Sequence, residues 1–361
     1  MNPTKALHNL GQSLWLDNIT RDLLNSGTLQ RYIDELSVTG VTSNPTIFDH
    51  AIKNSTDYDS DIARLSSHAK PVEDLFFELA LADLTRAADL LGPVFIRTDG
   101  VDGWVSLEVS PFLAHDAQRT IAAARDLNER ADKPNLFIKI PGTKEGLPAI
   151  EAAIFAGIPI NVTLLFSREQ YVAAAAAYLR GVERRIEAGL NPSVASVASL
   201  FVSRWDAAIA AKVPAELTNL LGIAVAQRTY KAYGELLASA RFQRAANSGA
   251  RAQRLLWAST STKDPKASDV LYVKALAAPF TVNTMPDGTL KAFAQHGEIG
   301  AMLAPDGGDC DKVLAAFHKA GIDVDALANS LQEEGAASFD KSWNDLMACI
   351  ESKSAVIRKV S

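Results

Sequence analysis

The side chains in this sequence that could do chemistry sit in short apolar runs. Lys139 lies in the middle of Asn135-Leu136-Phe137-Ile138-Lys139-Ile140-Pro141-Gly142-Thr143, which reads as a buried strand ended by a Pro-Gly break. A lysine there must reach water, pair with an acid or lose its proton, because desolvation disfavours an ammonium ion. A neutral lysine can attack a carbonyl carbon and form a Schiff base, whereas a lysine paired with a carboxylate is often purely structural. The run by itself leaves both readings open. Comparable runs carry Asp17, Glu108, Asn161, Thr163 and Ser199, mostly near their C-terminal ends. A period of two can aim all of these at one side while Leu16, Leu107, Ile138 and Val162 face the other. A lysine, two carboxylates and an asparagine arriving from separate strands are costly to bury for structural reasons alone. The constellation favours the Schiff-base reading.

Eight strands must position these residues. They are expected at Ser13–Asp17, Val38–Thr42, Trp104–Val109, the Lys139 run, Ile160–Phe166, Val194–Val202, Leu255–Ser259 and Phe280–Pro286. Helical patterns separate them, including 57–65, 72–91 (stopped by Gly92-Pro93), 146–156 and 216–246. Ser110-Pro111 resembles a helix N-cap with proline at the first position, and Ser167-Arg168-Glu169-Gln170 fits a capping box for a helix to about Ala188. Ser268 is a candidate cap for a helix through Leu276, and amphipathic helix with glycine breaks fills roughly 289–350. Strands alternating with helices imply a parallel sheet, and eight such units imply closure into a (β/α)8 TIM barrel. A doubly wound sheet would carry a Gly-rich turn after its first strand, and Asp17-Asn18-Ile19 has none. The expected α/β organisation is one domain over 1–361, with additional C-terminal helices over about 289–361.

Composition narrows the function. A 48% hydrophobic and 22% charged chain of 361 residues is ordinary for a soluble globular protein. A formal net charge of −6 argues against nucleic acid or an anionic membrane as partner, but leaves room for a phosphorylated substrate in a local basic pocket. The N-terminus lacks a signal-peptide layout, no apolar run reaches membrane-spanning length, and Cys310 and Cys349 read as reduced; a cytoplasmic protein is expected. The six histidines, His8, His50, His68, His115, His296 and His318, make no HxH or HExxH pattern and are expected at the surface or at helix ends. No G-x-S-x-G elbow, P-loop or dinucleotide fingerprint occurs.

Trp15-Leu16-Asp17, Gly40-Val41-Thr42-Ser43-Asn44-Pro45, Val105-Ser106-Leu107-Glu108-Val109, Phe137-Ile138-Lys139-Ile140-Pro141, Asn161-Val162-Thr163-Leu164-Leu165-Phe166-Ser167 and Ser199-Leu200-Phe201-Val202-Ser203-Arg204 resemble, in order, the motifs of the transaldolase family. The segments 255–265, 281–286 and 331–350 are similar to its longer bacterial branch. The resemblance implies a class I aldolase-type barrel with no metal or organic cofactor. It implies transfer of a dihydroxyacetone unit between sugar phosphates, from sedoheptulose 7-phosphate or fructose 6-phosphate to glyceraldehyde 3-phosphate or erythrose 4-phosphate, in the non-oxidative pentose phosphate pathway. By position it makes Lys139 the Schiff-base nucleophile, Asp17 the general acid/base at the C4 hydroxyl, and Glu108 the carboxylate that moves protons through water. Thr163 would place that water, Asn44 and Asn161 would hold the three-carbon unit, and Ser199 and Arg204 belong to the phosphate-binding stretch.

One departure stands out. Much of the family has a second arginine after the seventh strand, where this chain reads Thr260-Ser261-Thr262-Lys263. Lys263 is either a point-charge substitute or a solvated loop residue. The alternative activity is that of the fructose 6-phosphate aldolases, lyases that release free dihydroxyacetone but are much shorter. Oligomeric state stays open between monomer and homodimer.

Overall fold

A computed structural model describes residues 2–66 and 70–360; His68, expected at the surface or a helix end, lies outside the described residues. The eight strands are β1 (Ser13–Asp17), β2 (Val38–Thr42), β3 (Trp104–Glu108), β4 (Leu136–Pro141), β5 (Ile160–Leu165), β6 (Ser196–Phe201), β7 (Gln253–Ala258) and β8 (Val282–Met285). All pair in parallel with their sequence neighbours, and β8 pairs with β1, so the sheet closes into a barrel in the order expected.

The period of two separates the barrel's inside from its outside. Leu16, Val41, Leu107, Ile138, Ile140, Val162 and Leu200 face outward and join one large core with the surrounding helices. Trp15, Trp104, Phe137, Val197, Leu256 and Val282 face inward and form a second cluster. Trp104 and Phe137 stack with centroids 4.1 Å apart, filling the lower interior with rigid apolar surface. Gly40 of β2 stands where a Cβ would come within 2.6 Å of the Trp15 ring, so only glycine lets that indole lie across the barrel.

Several helices differ from the sequence expectation. The helix from Val72 does not stop at Gly92-Pro93 but runs to Arg97 with Pro93 inside it, because Val94 in its last turn is buried in the core and tertiary packing carries the helix past the proline. Ser110-Pro111 opens only a 3-10 turn, Pro111–Leu113; the helix begins at Ala117, capped by Asp116, whose side chain accepts from Arg119 N. Ser268 caps no long helix, since only Leu271–Ala275 is helical there. The capping box at Ser167 and Gln170 is present and starts Arg168–Glu187. The C-terminal region resolves into Asp287–His296, Cys310–Lys319 and one helix of 37 residues, Val324–Val360. Among the described residues no helix is long and apolar enough to cross a membrane.

Candidate active site

Strand register brings the expected residues together. Glu108 is the direct neighbour of Lys139 across β3 and β4, and Lys139 of Asn161 across β4 and β5, which sets the three side chains in one row. Asp17 is likewise opposite Thr42. All four point into the C-terminal end of the barrel, where the loops leave the strands and where active sites of this architecture lie.

Lys139 is 6% exposed and Glu108 4%. The lysine Nζ donates to Glu108 Oε2 at 3.0 Å and to the Ser43 carbonyl at 3.2 Å. Of the routes open to a buried lysine, the fold takes the paired one. The other oxygen of the same carboxylate, Glu108 Oε1, is buried without a partner among the described residues, as is Thr163 Oγ1. Burial pushes the Glu108 pKa above the ordinary carboxylate value, the Lys139 charge and hydrogen bond pull it down, and Asp17 pushes it further up. A carboxyl held in that balance can take and return a proton.

Asp17 closes β1 at the rim. Burial raises its pKa, while the Lys139 charge and a hydrogen bond from Thr42 Oγ1 at 2.8 Å lower it. Thr42 Oγ1 is also 2.7 Å from Thr284 Oγ1, so two hydroxyls from β2 and β8 fix the carboxylate's position. Asn161 is held at both ends of its amide: Ser199 Oγ donates to its Oδ1 at 2.7 Å, and its Nδ2 donates to Ser106 Oγ at 3.1 Å. Asn44 caps the helix Pro45–Asn54, its Oδ1 accepting from Ile47 N at 3.1 Å, which leaves its Nδ2 for another partner.

A cavity of about 350 Å³ opens above these groups, lined by Asp17, Asn44, Lys139, Thr163, Ser199, Arg204 and Lys263 among others. Arg204 is half-buried on its wall and makes no hydrogen bond or ion pair among the described residues. Burial lowers its pKa and Glu334 raises it, but a guanidinium stays charged throughout the working range of proteins. An unpaired cation facing a polar cavity suits an anionic group. Lys263 reaches the same cavity from an exposed loop, donating to Ser261 Oγ at 2.7 Å.

The sequence reading did not single out Thr42, Thr284, Ser106 or Phe339. Thr42 and Ser106 could have been found from the same alternation that marked Glu108, and Thr284 from the polar positions of β8. Phe339 gives no such signal, because it reaches the site from the last helix. Its ring centroid is 5.5 Å from Lys139 Nζ. His50, expected as a surface or helix-end residue, is exposed and also lines the cavity. A larger cavity of about 540 Å³ opens at the other end of the barrel, but its two arginines are already paired, Arg254 with Asp102 and Arg251 with Asp99.

The Transaldolase/Fructose-6-phosphate aldolase family matches residues 14–350 of the chain. A transaldolase of Frankia alni is 44% identical over 358 residues, covering 97% of this chain and 96% of that protein. A transaldolase of Thermobifida fusca is 45% identical over 355 residues, covering 96% of each. One of Thiobacillus denitrificans is 44% identical over 358 residues, covering 97% of this chain and 100% of that protein. Barrel, buried lysine and relatives agree: the chain belongs to the transaldolase/fructose-6-phosphate aldolase family.

Proposed function

We propose that this protein is a transaldolase that carries a dihydroxyacetone unit on Lys139 between sugar phosphates of the non-oxidative pentose phosphate pathway. The observation that carries the proposal is the buried Lys139–Glu108 pair, open to a cavity whose wall holds an unpaired Arg204. In this reading Glu108 takes the lysine proton, the freed amine attacks C2 of fructose 6-phosphate or sedoheptulose 7-phosphate, and Glu108 returns a proton as water leaves. The two partnerless oxygens, Glu108 Oε1 and Thr163 Oγ1, are the polar atoms that would handle that water.

The protonated imine is the electron sink. Asp17 removes the C4 hydroxyl proton, the C3–C4 bond breaks, and its electron pair moves into the imine to leave a three-carbon enamine on Lys139. Asn161 and Asn44 hold the hydroxyls of this unit, and Arg204, Ser199 and Lys263 receive the phosphate. An acceptor, glyceraldehyde 3-phosphate or erythrose 4-phosphate, then forms a bond to C3, Asp17 gives the new alkoxide its proton, and hydrolysis frees the product. Charged sugar phosphates are retained inside cells, which supports a cytoplasmic setting for this activity.

Borohydride reduction in the presence of fructose 6-phosphate, followed by peptide mass mapping, tests the assignment. A three-carbon adduct on Lys139 is expected; a label on another residue, or none, would remove Lys139 from the role. Omitting the aldehyde acceptor separates transfer from lyase chemistry, since rapid release of dihydroxyacetone would favour the aldolase.

A further inference from the structure

The last helix, Val324–Val360, crosses the open mouth of the barrel rather than lying beside it. Its Ala328, Leu331, Ala336 and Phe339 are buried with the inward-facing residues of the barrel, whereas Trp343, Leu346 and Ile350 join the outer core. One helical face therefore serves both, as positions three and four apart can. Gln332 pins the crossing point, its Nε2 donating to Leu164 O at 2.8 Å and to Gly142 O at 3.2 Å. Gly142 follows the strand that carries Lys139, and Leu164 is next to Thr163 near the end of its strand. Leu164 is buried with φ +59, a left-handed conformation unusual for a bulky side chain, where the β5–β6 register shifts. Gly335 lies one turn on, where a Cβ would come within 3.0 Å of the Leu164 side chain, so the small residue lets the helix sit this close. One further turn brings Ser338 and Phe339 to the cavity wall, with the 7% exposed phenyl ring over Lys139 Nζ.

That position matters for the intermediate proposed above. After C3–C4 cleavage, C2 is bonded to Nζ and C3 carries the enamine's nucleophilic electrons. If C3 bonds to an acceptor aldehyde, the aldehyde oxygen takes a proton, water adds at C2, the C2–Nζ bond breaks, and a new ketose leaves. If a proton reaches C3 first, the same hydrolysis releases dihydroxyacetone instead. The two fates divide at C3, one carbon from the atom bonded to Nζ, and a phenyl ring is apolar and supplies no proton. We propose that Phe339, held in place by Gln332 and Gly335, is a specificity-determining residue that keeps proton-donating water from the enamine and so sets the ratio of transfer to release. The inference rests on the Schiff-base reading of Lys139.

The test uses the full-length protein and its Phe339→Leu, Phe339→Ser and Gln332→Leu variants with fructose 6-phosphate. Free dihydroxyacetone is measured without acceptor, and ketose formation with saturating erythrose 4-phosphate. For Phe339→Ser the release-to-transfer ratio should rise roughly tenfold or more, for Phe339→Leu by less, and Gln332→Leu should raise it although the ring is still present. Borohydride should still trap the three-carbon adduct on Lys139 in every variant. Trapping with an unchanged ratio in Phe339→Leu and Gln332→Leu would overturn this inference alone. Failure to trap in the unaltered protein would overturn the Schiff-base reading and this inference with it.

Discussion

The two ends of the barrel both bury charge and treat it in opposite ways. At the N-terminal end Arg254 of β7 donates to Asp102, Ser13, and the carbonyls of Val101 and Thr281, while Ser13 Oγ donates to Asp102 Oδ2 at 2.8 Å. Both guanidinium termini are used and both carboxylate oxygens accept, although Arg254 Nε is buried without a partner among the described residues. At the C-terminal end Lys139 uses one oxygen of Glu108, the other oxygen and Thr163 Oγ1 have no partner among the described residues, and Arg204 makes no ion pair there, Glu334 acting on it only through its charge. Size does not separate the two ends, since the larger cavity is at the end whose charges are paired. Paired charges hold a plug in place; a carboxylate oxygen and a cation left unpaired beside a cavity leave valence for a substrate.

The sharpest way to break this comparison is to remove one cation from each end. Lys139→Met should lower turnover by at least about four orders of magnitude, measured by coupled assay, because it removes the proposed nucleophile. Its stability should change little, because Glu108, whose pKa burial already raises, takes up a proton rather than remaining an unpaired charge. Arg254→Met should do the reverse, costing about 3 kcal/mol in denaturant unfolding by stranding Asp102, with kcat largely kept. If Arg254→Met lost turnover without losing stability, the two ends would not be distinct in kind.

Asp17 offers the next largest effect and a check by pH. Asp17→Asn should reduce kcat by roughly two to four orders of magnitude, the range of positioned acid–base catalysis. Burial raises the Asp17 pKa, so the folded protein holds that proton more tightly than the unfolded chain does. Its contribution to stability is therefore full below the unfolded-state value and lost as pH rises through the folded-state value. Asp17→Asn should thus melt higher than the parent near neutral pH, with the gain vanishing in acid. A gain that instead grew as pH fell would contradict the sign of the shift.

Much of this end of the barrel was legible from residue order. Lys139, Glu108 and Asn161 could be placed on one face because strand alternation is local and does not depend on distant packing. Their adjacency followed once eight strand–helix units implied closure. Proximity across sequence was not legible. Phe339 is 200 positions from Lys139, and nothing in an amphipathic C-terminal pattern says that it crosses the mouth. Pro93 inside a helix and the late helix start at Ala117 were missed for a related reason: core burial and an Asp116 cap outweighed local breaker signals.

The proposed phosphate contacts, Arg204 and Lys263, should rank in that order. Arg204→Ala should raise KM for fructose 6-phosphate roughly 10- to 100-fold, as loss of a charge-assisted bond would, with a smaller change in kcat. Unphosphorylated dihydroxyacetone as donor should show no such change, and an equal loss for both donors would remove Arg204 from the phosphate site.

Lys263 should give the smallest effect. It sits on an exposed loop and already donates to Ser261, so its ammonium meets a phosphate as a hydrated point charge. Lys263→Ala should raise KM about two- to threefold at low ionic strength, in keeping with an exposed ion pair, and salt should erase the difference. Lys263→Arg separates the family's second arginine from a solvated lysine. If the loop brings position 263 to the phosphate, a planar fork there should bind it better than the parent and lower KM. If KM rises in Lys263→Ala by as much as in Arg204→Ala, the exposed loop closes on the substrate and joins the buried wall as an equal partner. If neither substitution moves KM, Arg204 is the phosphate's only strong cation, and the asymmetry between buried and exposed charge holds within the site as well as between the barrel's two ends.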